Sequence, residues 1–213
     1  MKGVPLNEEL YQYILDTFVE EDDILKSVVK QAEERKFPLI QISPENGKFL
    51  YFLAKSVKAK RALEIGTLNG YSAIWVARAL PKDGKLTTLE LEPEHAKAAR
   101  ENFKKAGLSK KIKLIEGSAI ESLKKLKKKK FDFAFIDADK VSYPAYFDAV
   151  IKMMKKGGII AVDNTLRDGQ IISKTPDDAI RGTQILNEKM AKHKKLVSLL
   201  IPISDGLTIG LVK

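Results

Sequence analysis

Through the first quarter of the chain, apolar residues recur at the three- and four-residue spacing of one helix face. Asn7 is placed to cap a helix that carries Leu10, Ile14 and Phe18 on one side. Ile24, Leu25, Val28, Val29 and Ala32 form a second stripe. Ser43-Pro44 has the order of a cap followed by a first-turn proline, opening a third helix with Phe49, Leu50, Leu53 and Val57.

From Arg61 the pattern changes to short apolar runs separated by longer segments. The runs predict strands at Ala62–Ile65, Leu86–Glu90, Ile112–Ile115, Phe131–Ile136, Ile159–Val162, Val197–Ile201 and Leu207–Val212. Helix-length stretches lie between the first five, such as Pro93–Ala106, which Gly107 closes. Strand–helix alternation of this kind requires a parallel sheet covered on both faces. The last two strands are joined by a short turn, Pro202 to Gly206, which suits a hairpin and therefore one antiparallel strand. No repeat or linker divides the chain. The expectation is an α/β fold: one domain over residues 1–213, doubly wound and mostly parallel, with a helical extension over 1–42 and the core over 43–213. The two N-terminal stripes are expected to stay outside that core, as exposed apolar area that marks an interface.

Composition removes several classes of chemistry. With no cysteine, disulfides, thiolate metal sites and cysteine nucleophiles are excluded. The N-terminus lacks the apolar stretch of a secretory signal, and no run is long enough for a membrane helix, so a cytoplasmic protein is expected. The formal charge of +10 draws attention to polyanions, but six of the seven residues from Lys124 to Lys130 are lysine, a segment that reads as a solvated surface.

In a doubly wound sheet, ligands sit beyond the carboxyl ends of the strands. The first strand ends in Leu63-Glu64-Ile65-Gly66-Thr67-Leu68-Asn69-Gly70-Tyr71-Ser72. Its G-x-x-x-G spacing differs from the G-x-G-x-x-G that clears a dinucleotide pyrophosphate, which disfavours a nicotinamide-dependent oxidoreductase. A nucleoside carrying an amino-acid carboxylate fits the loop better. Glu90, at the end of the second strand, is placed to accept from ribose hydroxyls, with Glu92 as its competitor. The fourth strand runs into Asp137-Ala138-Asp139-Lys140 and the fifth into Asp163-Asn164. Asp137, Asp163 and Asn164 make an all-oxygen ligand set suited to Mg²⁺ or another hard divalent cation. Lys140 lies within reach of a hydroxyl held there and is the candidate base.

These segments, with Ile42-Ser43-Pro44-Glu45-Asn46-Gly47 before them and Ser204-Asp205-Gly206 after, resemble the cation-dependent O-methyltransferases of the catechol and caffeoyl-CoA type. The resemblance implies a Rossmann-like, seven-stranded sheet and S-adenosylmethionine as cofactor. Ile42 (through its backbone), Gly66, Thr67 and Ser72 would hold the methionine portion, with Glu64 closing that region and Asp137 bordering it. Glu90 would take the ribose, and Ala119 would lie beside the adenine. Asp137, Asp163 and Asn164 would bind Mg²⁺, Mn²⁺ or Ca²⁺. Asp139, Lys140 and Asp168 would border a hydroxylated aromatic substrate, with Lys140 as catalytic base. A homodimer is implied, with the N-terminal region near the substrate opening.

There are departures: Ser118 stands where many relatives carry aspartate, and Arg167-Asp168 replaces a Trp-Asn pair. An alternative substrate for the same chemistry is a hydroxylated uridine in transfer RNA, with which the charge agrees. His95 and His193 read as surface-helix residues and Trp75 as core. Tyr143 and Tyr146 read equally as pocket lining or packing.

Overall fold

A computed structural model describes residues 6–213. Three helices lead in: α1 (Glu8–Phe18), α2 (Asp23–Glu34) and α3 (Pro44–Ser56). The alternating part follows as β1 (Arg61–Ile65), α4 (Tyr71–Ala79), β2 (Lys85–Glu90), α5 (Pro93–Lys105), β3 (Ile112–Glu116) and α6 (Ala119–Leu126). It continues with β4 (Phe131–Ile136), α7 (Tyr143–Val150), β5 (Met154–Val162), α8 (Asp178–Lys192), β6 (Leu196–Ile201) and β7 (Leu207–Val212). The strands form one seven-stranded sheet in the order β3-β2-β1-β4-β5-β7-β6. Only β7 runs against its neighbours, pairing antiparallel with both β5 and β6. Among the described residues no helix is long and apolar enough to cross a membrane.

Successive strand residues point to opposite faces, and each face has its own core. Ala62, Phe133, Phe135, Ile159 and Ala161 pack beneath α3, α4 and α5, whereas Leu63, Ile65, Ala134, Ile136 and Ile160 pack with residues of α6, α7 and α8. The apolar runs were legible as strands because both faces are buried. β5 is the exception: it begins five residues before the predicted Ile159, at Met154. Its early half, Lys155-Lys156-Gly157, carries no apolar pattern, and it pairs with β4 only across a shift in register near Phe131.

The two N-terminal stripes part company. In α2, Leu25, Val28 and Ala32 are fully enclosed, because this helix packs on α4 and α5 and extends the core by another layer. That corrects the expectation that both stripes lie outside. α1 buries no residue, and Leu10, Tyr13 and Phe18 are exposed. It is tethered by the Tyr11 hydroxyl, which donates to Glu45 Oε2 at 2.8 Å. Asn7 caps α1 as its sequence predicts, accepting from the Leu10 N–H. Ser43 precedes α3 without capping it; its hydroxyl donates instead to Glu45 Oε1.

Candidate active site

The parallel order reverses at β1, between β2 and β4, and a cavity of about 500 Å³ opens beyond the carboxyl ends of these strands. Ile42, Gly66, Thr67, Ser72, Glu90, Ala119, Asp137, Asp139 and Lys140 all line it. Glu64 lies in the enclosed core below, and Asp163 is 4% exposed. Asp168 is exposed and outside the lining, its N–H donating to Asp205 Oδ1 at 2.6 Å.

The loop after β1 takes its shape from backbone constraints. Gly66 has φ +93°, and a Cβ there would overlap the Asp137 carbonyl oxygen, so this close crossing of two strand ends admits only glycine. Leu68 has φ +49°, a left-handed conformation that costs a non-glycine residue roughly 1–2 kcal/mol. Glu90 offsets that cost: its Oε2 accepts from the N–H groups of Thr67 at 2.9 Å and Leu68 at 2.7 Å. Bonds to a charged acceptor contribute about 1.5–3 kcal/mol each, so the strained turn is held. Glu90 Oε1 accepts from the Glu92 N–H at 3.0 Å.

Behind the loop, Glu64 is fully enclosed. Its Oε2 accepts from the Thr88 hydroxyl at 2.6 Å, and its Oε1 has no partner. Burial, abetted by the charges of Asp137 and Glu90, pushes this carboxyl up to about 7 despite the hydroxyls of Thr88 and Ser72, which favour its charged form.

At the ends of β4 and β5 the second cluster forms. Lys140 Nζ donates to Asp137 Oδ1 at 2.7 Å and lies 5.1 Å from the centroid of the Tyr143 ring. The Tyr143 hydroxyl donates to the Asp163 carbonyl at 3.0 Å, so this buried tyrosine braces both strand ends. Burial and the nearby negative charge of Asp137 push the Asp163 carboxyl above the usual carboxylate range. Asn164 has φ +53°, which asparagine tolerates better than most residues. Tyr146 donates to Asp139 Oδ2 at 2.5 Å, and Tyr146 lines the cavity while Tyr143 does not. Among the described residues no group of three or more His, Cys, Asp or Glu side chains is placed for a metal ion. Asp137 and Asp163 lie near enough for their charges to interact, and Asn164 follows Asp163 in the chain. The oxygen donors fit a hard cation: Lys140 pairs with Asp137 Oδ1, while the buried Asp163 carboxylate has, among the described residues, only the neutral Asn46 amide as its side-chain hydrogen-bond partner.

Sequence reasoning missed His95, which lines the cavity with Nδ1 3.6 Å from Glu90 Oε1 and its ring edge-on to Phe37. The available signal was its place in the first turn of α5, where side chains lean back toward the preceding strand end. Trp75 is core, as its sequence suggests, packed so closely on α3 that a Cβ at Gly47 would overlap its ring. The lysine run lies elsewhere: it precedes β4, whose six residues carry the chain about 20 Å to the cavity end.

Comparison with known proteins agrees with this geometry. Residues 15–213 match the family model described as O-methyltransferase. A catechol O-methyltransferase of Niastella koreensis is 37% identical over 215 residues, covering 97% of each chain. A caffeoyl-CoA O-methyltransferase of Stellaria longipes is 36% identical, covering 97% of this chain and 91% of its own. The crystal structure of a Bacillus cereus O-methyltransferase in complex with SAH superposes with a TM-score of 0.91 at 34% identity, covering 95% of this chain and 96% of that one. With the strand order, the glycine-bounded loop and these relatives in agreement, the chain belongs to the O-methyltransferase family and is an S-adenosylmethionine-dependent enzyme of the catechol and caffeoyl-CoA type.

Proposed function

We propose that the protein methylates one hydroxyl of a catechol-like or caffeoyl-type small molecule, with a divalent cation, Mg²⁺ in the first instance, held by Asp137, Asp163 and Asn164. The observation that carries the reading is the convergence of Asp137, Asp163 and Lys140 at two neighbouring strand ends, beside the cofactor cavity. When bound, S-adenosylmethionine supplies an activated methyl group and the cation supplies positive charge toward a hydroxyl oxygen.

The chain's own residues do the rest. Gly66, Thr67, Ser72 and the backbone of Ile42 enclose the methionine portion, and the unpartnered Glu64 Oε1 is an acceptor suited to a cationic donor there. Glu90 offers the remaining lone pair of Oε1, which also accepts from the Glu92 N–H, toward ribose while its Oε2 holds the loop. Ala119 bounds the far side of the cavity. Lys140 donates to Asp137 as an ammonium in this structure, so as the base it would first lose a proton to solvent and then, as the neutral amine, take the proton of the hydroxyl. Asp139, fixed by Tyr146 and by the Ser142 N–H, walls the substrate side, with Asp168 further out on the loop after β5. The catalytic contribution is alignment and charge stabilisation, with no covalent intermediate on the protein. We further propose a homodimer to which the exposed side of α1 contributes, supported by Leu10, Tyr13 and Phe18 lying uncovered.

Turnover of a catechol with S-adenosylmethionine should stop in excess EDTA and return with Mg²⁺. Asp163→Ala should abolish turnover while binding of S-adenosylhomocysteine persists. Full activity in EDTA would refute the cation's role.

A further inference from the structure

Asn46 belongs to neither the expected ligand set nor the cavity lining, yet its side chain is 0% exposed. It stands in the first turn of α3 and reaches across 117 residues of sequence to donate from Nδ2 to Asp163 Oδ1 at 3.1 Å. Its own Oδ1 is buried with no partner. The reverse orientation would set the amide carbonyl against the carboxylate, oxygen lone pair to oxygen lone pair, so the orphaned oxygen follows from the bond to Asp163. A leucine of similar size would fill this site and remove the orphaned oxygen, but it would leave Asp163 Oδ1 buried without its side-chain donor, so the asparagine is explained by the carboxylate it serves. The support beneath it is closely packed. The next residue, Gly47, is pressed so tightly on Trp75 of α4 that a Cβ would overlap the indole.

We infer that Asn46 is a positioning residue of the cation site, fixing the rotation of the Asp163 carboxylate and occupying one lone pair of its Oδ1 so that the group meets the cation aligned. The inference rests on the cation reading above and adds to it a group contributed by α3, outside the strand ends. A neutral donor suits this place because a third carboxylate would add repulsion and a lysine would compete with the cation.

The test is Mn²⁺ binding to the full chain, followed by electron paramagnetic resonance, with S-adenosylhomocysteine affinity and Tm measured alongside. Asn46→Leu should weaken Mn²⁺ at least tenfold, with S-adenosylhomocysteine affinity within twofold of wild type and Tm lowered by the loss of the donor to Asp163. Unchanged Mn²⁺ affinity in a folded Asn46→Leu protein would overturn the inference alone. Should that variant not fold, Asn46→Ala carries the same expectation for Mn²⁺ relative to S-adenosylhomocysteine. Wild-type protein that binds no Mn²⁺, or binds it equally well after Asp163→Ala, would overturn the cation reading and this inference with it.

Discussion

Glu64→Gln should gain stability relative to the wild-type protein as pH rises, and lose cofactor affinity at the same time. In the unfolded chain this carboxyl ionises near its ordinary value of 4.5, whereas in the fold it holds its proton up to about 7. Between those values the folded state binds more protons, so the contribution of Glu64 is fully present below 4.5 and is lost as pH rises through 7. The displacement corresponds to about 3 kcal/mol, as an order of magnitude, once the folded carboxylate is forced to ionise. Glutamine cannot ionise, but it leaves a buried N–H without an acceptor where Oε1 now stands unpaired, at a cost of about 1–3 kcal/mol. The variant should therefore be the less stable protein at pH 4.5 and should equal or exceed wild type at pH 8. With about 2–4 °C per kcal/mol for a chain of this size, its Tm relative to wild type should rise by roughly 6–12 °C across that range. Thermal unfolding of the cofactor-free proteins at a series of pH values measures this directly. Calorimetry at pH 8 should show S-adenosylhomocysteine bound at least tenfold more weakly, as expected for losing a charged acceptor worth about 1.5–3 kcal/mol. A Tm difference that does not change with pH would refute the argument from burial. Unchanged cofactor affinity would refute the assignment of the free oxygen.

Glu90→Ala should weaken S-adenosylhomocysteine at least tenfold and also speed hydrogen exchange at the Thr67 and Leu68 amides, since both donate to this carboxylate; Glu92→Ala producing the loss instead would move the ribose contact to that residue. Deleting residues 1–20 removes a helix with no buried side chain, so Tm should change little while dimerisation weakens and the substrate's KM rises; a monomeric wild type at micromolar concentration in sedimentation, with the deletion kinetically silent, would remove the proposed role of α1.

How far the sequence could be read follows from where each feature's physics resides. Strand positions were legible because apolar runs buried on both faces leave a continuous imprint, and Asp137 and Asp163 were legible because each directly ends such a run. The early half of β5 left no imprint: Lys155 and Lys156 are exposed and fall in the register shift between the Phe131–Met154 and Phe133–Ile159 pairs. α1 and α2 have the same periodicity, so what separates them is the surface offered by α4 and α5, a property of the assembled fold. His95 was within reach of local reasoning, because a first-turn residue leans over the strand end that precedes it. Asn46 was not. Its contact joins the start of α3 to the end of β5, two segments that no periodicity or spacing relates. Local pattern thus located the carboxylates that carry charge into the site. The neutral groups that hold them in place, Asn46 on Asp163 and Tyr143 between Lys140 and Asp163, emerge only when distant segments are packed together.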